Sequence, residues 1–299
     1  MLANQSPPTV IKSQPVGGAL SAKRNRRVAD MLVVVILSLL SLITIIPFIW
    51  MISTSLDWEA VAGIPFPPRL WPGEATIDTY RIAFTNVPLL RYVLNSFIIA
   101  GGVLLIAITS AMASGYALSK INFRGSNFIL VLALSTMMIP FESTMIPMYR
   151  LFDRLGLINS YWAFYLPAIT FGFGTFLAKQ FMDQLPGSLR EAAVVDGASE
   201  WRVFVQIFLP LCGPIIATMV ILHFLAIWND FLWPLLVIHD ADKYTLQLGM
   251  AMFSYNKGEN QFVAILMAAT TISIAPILAL YLFLQKYIIE SIALTGLKQ

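Results

Sequence analysis

Apolar residues in this chain are gathered into long runs, with the polar residues confined between them. The run from Val28 to Ile52 is long enough to cross a bilayer core, which takes about 20 residues of helix. Further runs at about 92–117, 127–147, 160–178, 209–236 and 262–285 bring the expected number of spans to six. The pattern predicts an all-α, polytopic membrane helix bundle, with 28–285 as a six-helix transmembrane domain.

The intervening stretches have their own signatures. Residues 1–22 are rich in Pro, Ser and Gly without hydrophobic periodicity, so 1–27 reads as a disordered tail. Residues 53–91 contain Asp57, Trp58 and Glu59, the prolines Pro65, Pro67, Pro68, Pro72 and Pro88, and several aromatics, as expected of an ordered extramembrane loop with short elements. Residues 286–299 form a C-terminal tail. A signal peptide is excluded for the first run, which is too long for an h-region and lacks a small-residue cleavage site.

Composition agrees with the pattern. Apolar residues make up 58% and charged residues 12% of the 299 positions, against about 45–50% and 25% in soluble domains. Cys212 is the single cysteine, so neither an internal disulfide nor a cysteine zinc site can form. His223 and His239 lack metal-ligand spacing, and no metal is expected. The net charge of +3 comes from basic residues beside apolar runs, which argues against a nucleic-acid face.

Those basic residues orient the chain. Lys23, Arg24, Arg26 and Arg27 precede the first run, placing the N-terminus in the cytoplasm by the positive-inside rule. Alternation then puts the loop after the fourth span, 179–208, and the C-terminus on the same side. Twelve of the 19 Lys and Arg residues fall inside in this arrangement.

Within the spans, Ala107, Ala111 and Gly115 form a small-residue stripe that lets a second helix approach closely. Pro140 and Pro147, and Pro167, Gly172 and Gly174, mark helix breaks that suit either a pathway lining or a kinked scaffold. Glu142 and Asp230 sit near outer span ends, where interfacial anchoring and function are both open readings. His223 lies deeper, as a structural residue or a cavity ligand. A membrane-embedded hydrolase using His223 and Asp230 is the rival reading, but seven residues along one helix separate them by about 10 Å, too far for a catalytic dyad. A non-transporting scaffold is a third possibility. No catalytic residue is assigned.

The segment Glu191–Pro210 stands apart. Ser188 with Glu191 reads as a capping box opening a short helix. Gly197 suits the left-handed position that ends it. Ser199 caps a second helix, on which Trp201, Phe204, Val205 and Phe208 are expected to form one apolar face. Small Ala192 and Ala193 leave room for a partner.

The spacing Glu-Ala-Ala, three residues, Gly, nine residues, Ile-x-Leu-Pro, at Glu191, Ala192, Ala193, Gly197, Ile207, Leu209 and Pro210, resembles the EAA loop of permease subunits of bacterial ABC importers. Further segments resemble the carbohydrate-uptake branch and its maltose-type second permease subunit. These are Asn95-Ser96, Ser114 to Leu118, Met138-Ile139-Pro140, Ile146-Pro147, Leu155-Gly156-Leu157, Trp228-Asn229-Asp230-Phe231, Trp233 to Leu236, and a tail Thr295 to Lys298 that departs from the Ala/Val-rich version of many relatives.

The resemblance implies a multi-pass protein of the bacterial cytoplasmic membrane, paired with a second permease subunit. Two ATP-binding subunits bind below the pair, one of them docking on the EAA loop of this chain, Asp196 included, and an extracytoplasmic sugar-binding protein delivers the cargo. No cofactor is implied for this chain, since ATP belongs to the partners; the sequence contains no G-x-x-x-x-G-K-[ST] loop. Trp228, Asn229, Asp230 and Trp233 become candidates for the translocation path.

Overall fold

The computed structural model describes residues 16–63, 67–257 and 262–296. The expected tail therefore lies outside the described residues as far as Pro15, and so does the end of the Thr295–Lys298 segment from Leu297 on. The chain divides into two units, residues 1–51 and 52–299.

Helix α1, Val16–Ser55, begins earlier than expected, since Val16–Arg27 is already helical backbone. Its apolar part, Ala29–Ser55, has a mean hydropathy of 2.9 and is long enough to cross a bilayer core.

In the second unit, Asp57 and Ala75 pair in an isolated bridge. The buried Asp57 carboxylate accepts backbone N–H bonds from Glu59 and Gly73 at 3.1 Å and from Glu74 at 3.4 Å. One acidic side chain thereby organises the expected ordered loop, and α2, Asp78–Asn86, follows it.

Helix α3, Leu89–Lys120, is the central post. Asn95 and Ser96 near its start are buried but satisfied: the Asn95 amide donates to the Asp242 and Tyr244 carbonyls, its oxygen accepts from the Tyr161 hydroxyl, and Ser96 Oγ accepts from Leu246 N–H. A polar pair in an apolar helix thus pins a distant connection.

The third expected span is not one helix. It is α4, Ser126–Thr136, and α5, Phe141–Arg154, bent by 97°. The reason is Pro140, which has no N–H to donate and biases the residue before it away from helix. The fourth is likewise divided into α6, Trp162–Ala168, and α7, Gly172–Asp183.

After α7 come the short α8, Ser188–Val195, α9, Glu200–Val203, and α10, Leu209–Leu211, then α11, Gly213–Trp228, at a 76° bend. The fifth expected span stops at Trp228 and resumes as α12, Leu232–Val237, followed by α13, Leu246–Lys257, and α14, Val263–Gly296. Among the described residues, three helices are long and apolar enough to span, or up to five if each bent pair is one span, by length and composition alone; six spans were expected.

The small-residue stripe does what its spacing predicts. Ala107, Ala111 and Gly115 are buried, and α3 packs along α7 there. A Cβ on Gly115 would lie 2.5 Å from Ala178 Cβ.

Candidate functional site

The EAA segment folds as two short helices around a glycine corner. At the end of α8, the Ala198 N–H donates to the Ala193 carbonyl at 2.9 Å and the Gly197 N–H to the Val194 carbonyl at 3.0 Å. These are the two bonds of a Schellman stop, and Gly197 takes φ = 81° in the left-handed region, as expected. Ser199 caps α9 as expected, its side chain accepting from Arg202 N–H at 3.4 Å.

Two details differ from the sequence reading. Ser188 is the first residue of α8 and Gly187 is its cap, with no side-chain cap bond, so no capping box forms. Residues after Pro186 already have the helix-compatible backbone, and the Glu191 N–H bonds to the Gly187 carbonyl instead. The Glu191 carboxylate, exposed in the first turn of α8, has no hydrogen bond or ion pair within the described chain.

The apolar face also rotates. Val203, Phe204 and Phe208 are buried, whereas Trp201 is 70% and Val205 37% exposed. A π-turn over Phe204–Phe208 causes this, with Leu209 N–H reaching back to the Phe204 carbonyl. Pro210 supplies the physical reason: its ring would collide with the carbonyl four residues earlier in an α-helix, and a widened turn relieves the clash. Ile207 and Leu209 pack partly against the core cluster that holds Phe208, while Pro210 is exposed. Ala193 turns towards that cluster too, leaving Ala192, Val195 and Asp196 on the open side.

A polar clasp that sequence spacing did not reveal closes the corner. Arg190 of α8 donates from Nε to Glu200 Oε2 of α9 at 3.1 Å and pairs through Nη2 with Oε1. The Tyr116 hydroxyl of α3 donates to the same Oε2 at 2.8 Å. Arg190 and Glu200 lie in the loop outside the spans. The guanidinium beside Glu200 holds its carboxyl below its ordinary range, against the opposing pull of burial. A depressed carboxyl stabilises above its unfolded value, so the clasp is intact at neutral pH and is lost only as pH falls through the depressed value. Nearby, Lys120 Nζ donates to the Leu185 carbonyl at 2.8 Å and Ser119 Oγ to Asp183 at 2.7 Å, tying the end of α3 to the approach of α8.

The clasp predicts that Glu200→Arg lowers the melting temperature of the protein and that adding Arg190→Glu restores most of the loss. Thermal unfolding of the paired variants checks this; failure of the swap to recover any stability counts against a pairwise role. Because both side chains are partly exposed, the pair contributes only about 0.5–1 kcal/mol to stability.

The candidate path residues separate into different surroundings. Trp228 is 2% exposed, stacks on Phe224 at 5.2 Å and donates its indole N–H to the Ser273 carbonyl at 3.0 Å, so it is core. Asn229 is exposed and bonds the Leu225 carbonyl of its own helix at 2.9 Å. Asp230 and Trp233, by contrast, line a cavity of about 220 Å³, and His223 lines it as well. No bond joins His223 to Asp230 among the described residues. Among those residues no group of His, Cys, Asp and Glu could hold a metal.

With this geometry in view, comparison with known proteins decides the class. The family described as the inner membrane component of binding-protein-dependent transport systems matches residues 104–293. This chain belongs to that family.

The permease is 38% identical to the arabinooligosaccharides transport system permease protein AraQ of Halalkalibacterium halodurans, over 76% of this chain and 81% of that one. It is 32% identical to the trehalose/maltose transport system permease protein MalG of Thermococcus litoralis, over 87% and 94% respectively. Its fold matches a bacterial ABC transporter that imports the acidic polysaccharide alginate, with a TM-score of 0.77, 21% identity, and coverage of 89% and 98%. It is thus a multi-pass helical permease of the ABC importer class.

Proposed function

We propose that the permease moves a sugar inward across the bacterial cytoplasmic membrane, as one of two permease subunits above two ATP-binding subunits. An extracytoplasmic binding protein supplies the sugar. ATP is bound by the partners and none by this chain, whose sequence has no phosphate-cradling loop. Relatives that transport arabinooligosaccharides, trehalose or maltose, and lactose support the choice of cargo.

The observation that carries the coupling role is the rigid corner itself. A lever must transmit motion and must make different contacts in two states. Helix α8 is stopped by Gly197 and clasped through Arg190, Glu200 and Tyr116 to α3, while its other face presents the free Glu191 carboxylate, Ala192, Val195 and Asp196. Movement of a bound ATPase subunit is therefore delivered to α3 through hydrogen bonds rather than lost in a loose loop.

Cysteine crosslinking tests it. Val195 is 87% exposed and Cys212 fully buried, so Val195→Cys places a reactive thiol on the loop with the native cysteine left in place. Expected is a crosslink to an ATP-binding subunit whose yield changes between nucleotide-free and ATP-bound complex. Absence of any crosslink across several spacer lengths overturns docking at this face. Proteoliposome uptake of a sugar panel with the cognate binding protein then tests the cargo.

A further inference from the structure

Three helix breaks converge on the cavity lined by Asp230. Phe141 begins α5 just after the 97° bend, Pro167 and Ala168 end α6, and Asp230 follows the end of α11; all four line the same cavity of about 220 Å³. Broken backbone at membrane depth is tolerated where protein packs it or a watery cavity solvates it. Here the cavity is on the page.

Its polar groups are not used up by the fold. His223 stacks on Phe171 at 4.2 Å, but its buried Nε2 has no hydrogen-bond partner. The Asp230 carboxylate accepts the Trp233 N–H at 3.3 Å and also a backbone N–H bond from Leu232, opening α12, and part of its accepting capacity remains. Trp233, Phe141 and Phe164 supply an aromatic wall, with Trp233 held in place by its indole bond to the Ala163 carbonyl at 3.1 Å. Buried polar groups left without partners are costly unless something binds them.

We infer that this cavity is a subsite for a single uncharged sugar ring, with Asp230 and the His223 side chain meeting its hydroxyls and the aromatic wall facing its apolar side. Drug-sized ligands occupy about 300–1,000 Å³, so the cavity suits one ring rather than an oligosaccharide. Its lining includes Asp230 and neither Lys nor Arg. A uronate or a sugar phosphate would therefore place like charge near the carboxylate in a poorly screened site. The subsite rests on the sugar-importer reading and sharpens it towards neutral cargo, in contrast to the acidic polysaccharide of the structurally similar transporter.

The test uses the complete importer in lipid nanodiscs without its binding protein, and measures equilibrium binding of labelled glucose, galactose and their uronates. Expected is binding of at least one neutral sugar, with its uronate at least about 10-fold weaker. His223→Phe, which keeps the ring stack on Phe171, should weaken the neutral sugar by about 3- to 10-fold. Asp230→Asn, which keeps an oxygen for the Trp233 N–H, should bring sugar and uronate to within about 3-fold of each other. Both variants must assemble at wild-type yield and melting temperature, which separates lost binding from lost folding. Binding of no neutral sugar, preference for uronates, or indifference to His223→Phe overturns the subsite. Uptake by the same complex with its binding protein is scored separately: ATP-driven sugar uptake alongside any of those results leaves the importer reading standing and removes the subsite alone.

Discussion

Gly197→Val is expected to leave the permease inserted and assembled but to lower ATP-driven sugar uptake by roughly 10-fold or more, with ATP hydrolysis by the complex continuing. No heavy atom lies within 4 Å of a Cβ built there, so the effect does not come from crowding. It comes from φ = 81°, a conformation that costs an L-residue about 1–2 kcal/mol and a β-branched one more. Relaxing that strain breaks the bonds from Gly197 and Ala198 back to α8, and the corner opens. Gly197→Asn should retain most uptake, since asparagine tolerates the left-handed region. Parallel uptake and ATPase assays check both variants, and wild-type coupling in the valine variant would sink the lever.

Gly115→Val is the largest expected stability loss. The new Cβ would fall 2.5 Å from Ala178 Cβ and 2.9 Å from the Lys179 backbone nitrogen, where α3 and α7 pack and neither helix can yield locally. Overpacking of this kind costs about 1–3 kcal/mol, and the backbone contact puts it at the upper end. Gly101→Ala on the same helix meets nothing within 4 Å and should instead stabilise by about 0.5–1 kcal/mol, because glycine is the poorer helix former. Thermal unfolding of the purified complex compares the two; similar melting temperatures would refute the close α3–α7 approach.

The EAA corner shows how far local rules reach. Gly197 and Ser199 stand where backbone conformation and cap chemistry require them, and both were legible because each acts within a few residues. The capping box at Ser188 and Glu191 obeyed the same kind of rule and did not form, since α8 starts at Ser188 itself, one residue earlier than a serine cap needs. That outcome changes the role of Glu191 from internal cap to an outward carboxylate free for a partner. The apolar face failed for a different reason. A period of 3.6 residues places Trp201 and Val205 inward, but the π-turn ahead of Pro210 shifts the helix and buries Val203, Phe204 and Phe208.

Residues brought together from distant elements were the hardest to foresee. Arg190, Glu200 and Tyr116 carry no spacing that announces a clasp, because Tyr116 is 84 positions from Glu200 and the Arg190–Glu200 pair forms only once Gly197 has turned the chain. Of the four path candidates, Asp230 and Trp233 line the cavity while Trp228 packs in the core and Asn229 faces outward. Their adjacency in sequence says nothing about this, since the break between α11 and α12 turns neighbouring side chains to different sides.

By itself the sequence determined that this chain is a membrane helical protein, where its apolar segments lie, that α3 has a face for close packing, and that the EAA loop turns at Gly197. Bilayer thickness, helix period and glycine conformation act locally and leave a readable pattern. Only the tertiary structure decided where spans break, which Glu191–Pro210 residues face outward, what clasps the corner and which polar groups share a cavity. Those properties depend on how proline-induced bends and long-range packing bring separate helices together, and no local period encodes them.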